Sequence, residues 1–434
     1  MMAGDHAVEI ENGIGRELPP DSFRVSPFWR LAPSGMRRRW RVFRFLDWIA
    51  RHIPARREKR GLLVVRMDGI GDMVLFRAAL DHYAEAFGVA ASEITVLGCD
   101  SWREIAPRLF RGYRVVTIDE HRYARRPFYR LMTSLRVRRL NARVVAVDSF
   151  FRRALMSDAL AYVSGAPEVV MSVPYVSEKT RAEYRYYLSF ASRVIDTGAY
   201  PDHEIVRHFR FVSAVAGRAI PPVPTQIEWQ AGPLPPPLDG APVGAHLLTR
   251  AEIRPRARPY VLFNAGANEP GRRWPIACYV ALARALKEKG NVCVFVGFGV
   301  AHADDPSLTR LLAEPDVVDW RGKTGLTRLL DVMQGAALVV SNDSGPAHLA
   351  IALGRPTVVF AGGGHFGCFV PYPPALAPAN ARFLFARLDC YHCFWNCTRK
   401  VERGASFPCV AEIPVAEALA AAEELLAGGK ESRA

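Results

Sequence analysis

The stretch Val339-Val-Ser-Asn-Asp-Ser-Gly-Pro-Ala-His-Leu-Ala-Ile-Ala-Leu-Gly-Arg-Pro-Thr-Val-Val-Phe360 decides the fold. Its apolar start, Leu338 to Val340, reads as the end of a buried parallel strand. Ser341 to Gly345 supply turn and cap chemistry, and Pro346 suits a first helical turn. The helix continues through His348, Leu349 and Leu353, ends at Gly354 and Pro356, and leads into a strand over Thr357 to Phe360. In an open α/β sheet such a turn points unpaired backbone N–H groups at the crevice where ligands bind. With the helix dipole, they favour an anion such as a diphosphate. Alone, the stretch equally suits an ordinary βαβ turn, so its neighbours decide.

Working outward, the same rhythm recurs. Upstream of the stretch lie strand Tyr260 to Asn264, helix Ile276 to Lys289, strand Val292 to Gly297, helix Pro306 to Ala313, strand Val317 to Asp319 and helix Leu326 to Gly335. A final helix is expected from Pro414 to Leu426. An earlier series begins with strand Leu62 to Arg66, loop Met67 to Asp72 and a helix from about Met73 to Phe87. It continues with strand Ile94 to Leu97, a helix near Trp102 to Leu109, strand Arg114 to Ile118, a helix near Arg130 to Arg139 and strand Val144 to Val147. Residues 204–216 read as one more helix. Alternating strands and helices mean doubly wound parallel sheets. Residues 221–259 hold ten prolines and read as a linker. The expected division is an arm over 1–60, a Rossmann-like domain over 61–220, the linker over 221–259 and a second Rossmann-like domain over 260–434.

Composition bounds the rest. A chain of 434 residues exceeds one comfortable core. Residues 35–60 contain ten Arg or Lys against Asp47 and Glu58, so they carry +8 of the net +14 and leave the remainder mildly basic. No apolar run reaches transmembrane length, and the polar N-terminus is not signal-like, so a cytoplasmic location is expected. Residues 1–34 read as a loosely attached arm. From Arg37 to Ile53 a helix is expected, with Val42, Phe43, Phe45, Leu46, Ile49, Ala50 and Ile53 on one broad side and Arg41, Arg44, Arg51 and His52 on the other. Such a helix suits either an anionic membrane surface or packing on the protein itself. No nucleic-acid module accompanies it.

Several groups could carry chemistry. Asp68 and Asp72, with Gly69 and Gly71, leave the first strand. Asp72 could act as a general base or simply cap the next helix. In the second domain, Arg272 and Arg273 on a glycine-bearing loop could hold phosphate oxygens, and Lys323 with Thr324 is a weaker candidate of that kind. Asp304 and Asp305 could accept ribose hydroxyls or lie in an exposed loop. Cys390, Cys393, Cys397 and Cys409, with His392 among them, could hold a structural zinc or remain reduced packing cysteines.

Together the loops Ile70-Gly-Asp72, Arg272-Arg-Trp-Pro275, Gly322-Lys-Thr324 and Asp343-Ser-Gly-Pro-Ala-His348 resemble glycosyltransferase family 9, the ADP-heptose:lipopolysaccharide heptosyltransferases, from about Gly61 to Leu426. The resemblance implies a GT-B fold, two Rossmann-like domains facing a central cleft. It further implies metal-independent, inverting transfer of a heptose from ADP-heptose to a lipopolysaccharide-type acceptor. Asp72 becomes the base, and Asp343, Ser344, Gly345 and His348, with Arg272, become donor-binding residues. The loop Gly362-Gly-Gly-His-Phe-Gly367, the fuller cysteine array and the long arm depart from the usual pattern. They leave open another nucleotide sugar (UDP or GDP), an epimerase, or a non-catalytic assembly protein. A lipid-linked acceptor would give the basic arm a purpose at the inner membrane face.

Overall fold

The computed structural model describes residues 13–54, 58–230, 259–297 and 305–431. The chain divides into two compact units, Met1–Val223 and Pro224–Ala434.

In the first unit, seven strands appear in chain order: β1 (Arg16–Glu17), β2 (Leu62–Arg66), β3 (Ile94–Cys99), β4 (Arg114–Ile118), β5 (Val144–Val147), β6 (Glu168–Ser172) and β7 (Arg193–Asp196). Their order across the sheet is β1-β7-β6-β5-β2-β3-β4. All pairs are parallel except β1 with β7. The chain winds outward from β2 through β3 to β4, then returns to β5 and winds the other way. The switch point therefore lies between β2 and β5, and a ligand crevice belongs at their C-terminal ends. Every residue of β2 and β5 is buried, as continuous Val/Leu-rich central strands require.

The second unit contains β8 (Tyr260–Asn264), β9 (Val292–Val296), β10 (Val317–Asp319), β11 (Leu338–Asn342), β12 (Thr357–Phe360) and β13 (Ala381–Leu384). All are parallel, in the order β10-β9-β8-β11-β12-β13. Here the switch point lies between β8 and β11, so the organising stretch flanks it. Trp274 locks the loop after β8 onto this sheet: its ring stacks on Phe360 with centroids 4.0 Å apart, and its indole N–H donates to Ile413 O.

Four departures from expectation bear on how the units are built. The first is the start of the helix after β2, which runs Ile70–Leu80 and restarts at Tyr83–Phe87. Gly71 and Asp72 thus belong to its first turn, because Gly69 in an extended conformation serves as its cap. The second is the arm. Over residues 13–54 it is no loose appendage: β1 pairs with β7, and Met36 and Trp40 join the core of the unit. Residues 1–12 lie outside the described chain.

The third is the face of the basic helix, Arg38–His52. It buries Trp40, Phe43, Asp47 and Ala50, whereas Val42, Phe45, Trp48 and Ile53 stay exposed. The reason is Asp47, whose carboxylate accepts from Nε and Nη2 of the fully buried Arg130 at 2.9 and 2.5 Å and so turns that face inward. The fourth is the region 148–203, which carries β6, β7 and the helices Ala159–Ser164 and Arg181–Leu188, none of them expected. Most of the linker, residues 231–258, lies outside the described chain, as does Asp304. No helix among the described residues is long and apolar enough to cross a membrane.

Candidate functional site

Each unit gathers polar groups at its own switch point. In the second unit two asparagines, one ending β8 and one ending β11, build the frame. Asn264 donates to Ser341 Oγ at 3.0 Å and to Ser344 Oγ at 3.3 Å. Asn342 donates to Ala265 O and Gly266 O, and its Oδ1 accepts the Trp274 N–H at 2.8 Å. Buried polar groups so fully bonded fix the two loops against each other.

On this frame sit Asp343, His348 and Arg272. Arg272 reaches Asp343 O at 3.0 Å and its carboxylate at 3.2 Å. His348 contacts the Tyr372 hydroxyl at 3.1 Å through Nδ1, and its Nε2 lies 4.0 Å from Asp343 Oδ1. Burial lowers the His348 pKa; Asp343 opposes this and Arg272 reinforces it. The ring is thus a neutral donor or acceptor at physiological pH. Burial, with Arg272 adding, likewise brings His365 down to about 4. Ser344, extended, is the cap residue of the Gly345–Ala352 helix, and its own hydroxyl donates to Asn342 O rather than capping. Pro346 has no N–H and Ala347 N donates to Ser344 O at 3.0 Å, so the Gly345 N–H is the donor at the helix start that can face an anion.

The aromatic loop 391–395 closes this arrangement. Trp395 lies against Gly362 and Gly364, Tyr391 against Gly363, and the Arg272 guanidinium sits 4.5 Å from the centre of the Trp395 ring. The amides of His392 and Phe394 donate to Gly363 O and Gly364 O. A Cβ on Gly364 would stand 2.2 Å from the indole, so only glycine permits this contact.

Other expected donor residues fall outside the cluster. Arg273 turns its guanidinium onto Ala267 O. Lys323 donates to Asp319 O at the end of β10, three places along the sheet from β11, with Thr324 beside it. Asp305 caps the Pro306–Leu312 helix by accepting from Ser307 N and Leu308 N, which gives it a structural role instead of the ribose one.

The metal expectation for Cys390, Cys393, Cys397 and Cys409 does not fit the structure. Among the described residues no group of three or more His, Cys, Asp or Glu is arranged to hold a metal ion. Cys409 is drawn into the hydrophobic core by its short helix, and the loop holding the other three directs aromatic rings toward the glycines. All eight cysteines are free thiols. Burial raises the Cys393 and Cys409 pKa values, and the neighbouring thiols raise them further, so both are protonated at neutral pH. A concavity of about 930 Å³ lies at the opposite, N-terminal strand ends around Pro259, Asn291 and Pro356. The paired charges Arg382–Glu424 and Lys289–Glu423 line it, and it is not the ligand crevice of a parallel sheet.

In the first unit, Asp72 is partly exposed and one oxygen accepts the Gly69 N–H at 3.0 Å. The cap role is therefore real, and it places Asp72 just past the C-terminal end of β2, the side on which the crevice of a parallel sheet lies. Asp68 is engaged by Arg66 at 3.1 Å and by Ser149 Oγ at 2.7 Å. Beneath them lies a buried array that the sequence did not announce. Arg66 pairs with Asp148 at 2.6 Å, and Asp148 meets His208 Nδ1 at 2.8 Å. His208 Nε2 lies 3.8 Å from Glu204. Burial disfavours the Asp148 carboxylate, but Arg66 and His208 outweigh it and hold its pKa below the usual range. Glu204 has weaker support, with Arg207 Nε 3.5 Å from one of its oxygens. Burial pushes its pKa up to about 8 against the pull of Arg207, and the nearby Asp72 and Asp68 push it further. It is a protonated acid at neutral pH, close enough to Asp72 to feel its charge.

Comparison with known proteins follows from this geometry. Residues 167–374 match the family model described as Glycosyltransferase family 9 (heptosyltransferase). The chain is 30% identical over 190 residues to lipopolysaccharide heptosyltransferase 2 of Salmonella typhimurium, covering 42% of this chain and 52% of that protein. It is 34% identical over 111 residues to lipopolysaccharide heptosyltransferase 2 of Escherichia coli, covering 24% and 31%. The matches thus span about half or less of these curated relatives. Among solved structures, E. coli ADP-heptose LPS heptosyltransferase II aligns with a TM-score of 0.57 at 18% identity, covering 85% of this chain and 99% of that one. A family 9 glycosyltransferase from Veillonella parvula aligns at 0.60 and 18%, covering 86% and 99%. E. coli heptosyltransferase WaaC, solved with ADP, aligns at 0.52 and 19%, covering 74% and 92%. At these identities the structural likeness is one of fold, and that fold is the GT-B type expected from the sequence.

Proposed function

From the glycosyltransferase family 9 domain that this chain carries, we propose that the protein transfers a heptose from ADP-heptose to a lipopolysaccharide-type acceptor. The observation that carries the reading is the cluster Arg272, Asp343 and His348 at the switch point of the second unit, beside a helix N-terminus. Arg272 and the Gly345 N–H at the positive end of the helix bind the diphosphate and stabilise it as it leaves. Asp343, itself an anion, orients Arg272 and accepts hydroxyl hydrogen bonds from the sugar. Neutral His348 and Ser344 bond the donor without adding charge, while Arg273, Lys323 and Thr324 serve the outer parts of the nucleotide.

Asp72 takes the proton of the acceptor hydroxyl, with Asp68, Gly69 and Gly71 shaping the acceptor side. One displacement then inverts the anomeric carbon, and no metal is needed because Arg272 and the helix end neutralise the leaving group. A cytoplasmic location suits a nucleotide-sugar donor. The exposed Val42, Phe45, Trp48 and Ile53, with Arg38, Arg39 and Arg41, support peripheral contact with the inner membrane face. Nucleic acid is not a partner in this reading. The glycine loop 362–364, packed under Trp395, favours a second reading in which the same chemistry uses a different nucleotide sugar.

Thermal-shift titration with ADP, UDP, GDP and CMP tests the proposal, since a ligand that binds only the folded state raises the midpoint. Stabilisation by ADP alone supports it. Stabilisation by UDP or GDP alone supports the second reading, and none at all removes both.

A further inference from the structure

Asp72 has a second carboxyl group for a neighbour, at the start of the adjacent helix. Helix Ile70–Leu80 follows β2 and helix Glu204–Ala216 follows β7, so both begin at the C-terminal ends of the sheet. Their contacts run in the same sense. Phe76 meets His208 with ring centroids 5.4 Å apart, and further along Tyr83 meets Phe211 at 6.2 Å. Asp72 lies four residues before Phe76, and Glu204 four residues before His208. Four residues are about one helical turn on one face, so the two carboxyl groups stand side by side one turn above the Phe76–His208 contact.

Two carboxyl groups so placed resist ionising together, and their surroundings decide which keeps the proton. Asp72 is partly exposed and accepts the Gly69 N–H, so its charge is both solvated and bonded. Glu204 is only 4% exposed. Facing it are Arg207 and His208 from its own helix, Asp72 from the neighbouring one, Arg66 and Asp68 at the end of β2, and Asp148 behind His208. The cations are already engaged. Arg207 donates to the carbonyls of Gly198, Ala199 and Asp202, and Arg66 is paired with Asp148 and Asp68. Glu204 is therefore the acid of the pair and Asp72 the anion.

The acid proton has an acceptor at hand. His208 meets Asp148 through Nδ1, and burial keeps the ring neutral, so its one proton sits on Nδ1. Nε2 is then a bare acceptor. Among the described residues neither His208 Nε2 nor Glu204 Oε1 has a hydrogen-bond partner, although both are buried. Nε2 stands 3.8 Å from Glu204 Oε2, and a shift of about 1 Å brings an O–H···N bond within range. Glu204 is thus backed by the chain His208, Asp148 and Arg66, and its burial keeps it from touching a substrate.

We propose that Glu204 is a positioning residue for Asp72: its proton, turned toward His208, leaves Asp72 the single anion at the two helix starts, and loss of that proton disables the base. The inference rests on the transferase reading for the role of Asp72. An ionised Glu204 would repel the Asp72 carboxylate, because Arg207 and Arg66 are already bonded elsewhere. The repulsion swings Asp72 out of line with the acceptor hydroxyl, and a misplacement of about 1 Å costs about 100-fold in rate.

Two measurements on the full chain test it. Glu204 gives up its proton around pH 8, so heptosyl transfer by the native chain should fall about 10-fold in kcat from pH 7 to 9. Glu204→Gln, neutral throughout, should hold its own pH 7 rate to within about 2-fold over that range. Thermal unfolding across pH 5–9 reads the coupling without any activity. The gap between the native chain and Glu204→Gln gives the pH at which Glu204 ionises. The gap between Asp72→Asn and the double variant Asp72→Asn/Glu204→Gln gives it again with the Asp72 charge removed, and that value should lie roughly 0.5–1 pH unit lower. Identical values in the two comparisons overturn the positioning role, as does an alkaline fall that Glu204→Gln shares. A native rate that stays flat to pH 9 overturns it with no variant needed. The expected shift in a chain that transfers no heptose sinks the transferase reading and leaves the Asp72–Glu204 pair standing.

Discussion

Replacing Glu204 by Gln should change the pH dependence of stability more than the stability itself. In the folded chain Glu204 is buried and keeps its proton up to about pH 8, whereas an unfolded glutamate loses it near 4.5. A group whose folded pKa is raised contributes stability that is fully present below the unfolded pKa and is lost as pH rises through the folded one. Between those two values the native chain should lose stability through this residue as pH rises, about 3 kcal/mol from pH 5.5 to 7.5. Gln is nearly isosteric and cannot ionise, so E204Q is spared that loss. Any packing penalty it carries is constant with pH and cancels from the slope. Thermal or urea unfolding of both proteins across pH 5–9 reads the difference directly. The midpoint gap should move in favour of E204Q by roughly 5–11 °C between pH 5.5 and 7.5 for a unit of this size. Parallel curves would refute the claim that Glu204 is held protonated, and with it the account of the charge array below Asp72.

Three further outcomes follow from contacts in the second unit. Arg272→Ala removes the guanidinium between Asp343 and Trp395 and should weaken ADP binding about 10- to 100-fold by calorimetry. Gly364→Ala forces a methyl against Trp395 and should cost about 1–3 kcal/mol in chemical denaturation, with weaker ADP stabilisation. Asp305→Ala removes a helix cap remote from the donor cluster and should lower the midpoint by roughly 2–4 °C, for about 1 kcal/mol, with ADP affinity intact.

What the sequence made legible was whatever local pattern controls. The Leu326–Gly335 helix and the strands β2, β4, β5, β8 and β10 fall where hydrophobic runs and glycine or proline boundaries put them. The strand-to-helix turn at Asp343 was equally readable, because cap chemistry and strand ends are short-range. Long-range pairing was hidden. Asp47 entered the sequence reading only as a charge, because its partner Arg130 lies 83 residues away. Glu204 was read only as part of a helix, since the His208–Asp148 pair beside it joins that helix to the loop after β5. Asn264 and Asn342 did leave a signal, a polar residue closing an otherwise apolar strand in each case. The cysteine spacing misled because spacing says nothing of which side chains a loop turns inward, and here the rings of Tyr391 and Trp395 take that place.

The central claim is that Asp72 acts as the base in transfer of a heptose from ADP-heptose. It is tested most directly by single-turnover transfer from ADP-heptose to a lipopolysaccharide-core acceptor, comparing the native chain with Asp72→Asn, with ADP binding measured on both. Asn can still accept the Gly69 N–H, so the helix start is preserved while the base is lost. The account predicts a rate lower by about 10²- to 10⁴-fold with ADP affinity unchanged. Transfer by Asp72→Asn at the native rate would contradict it.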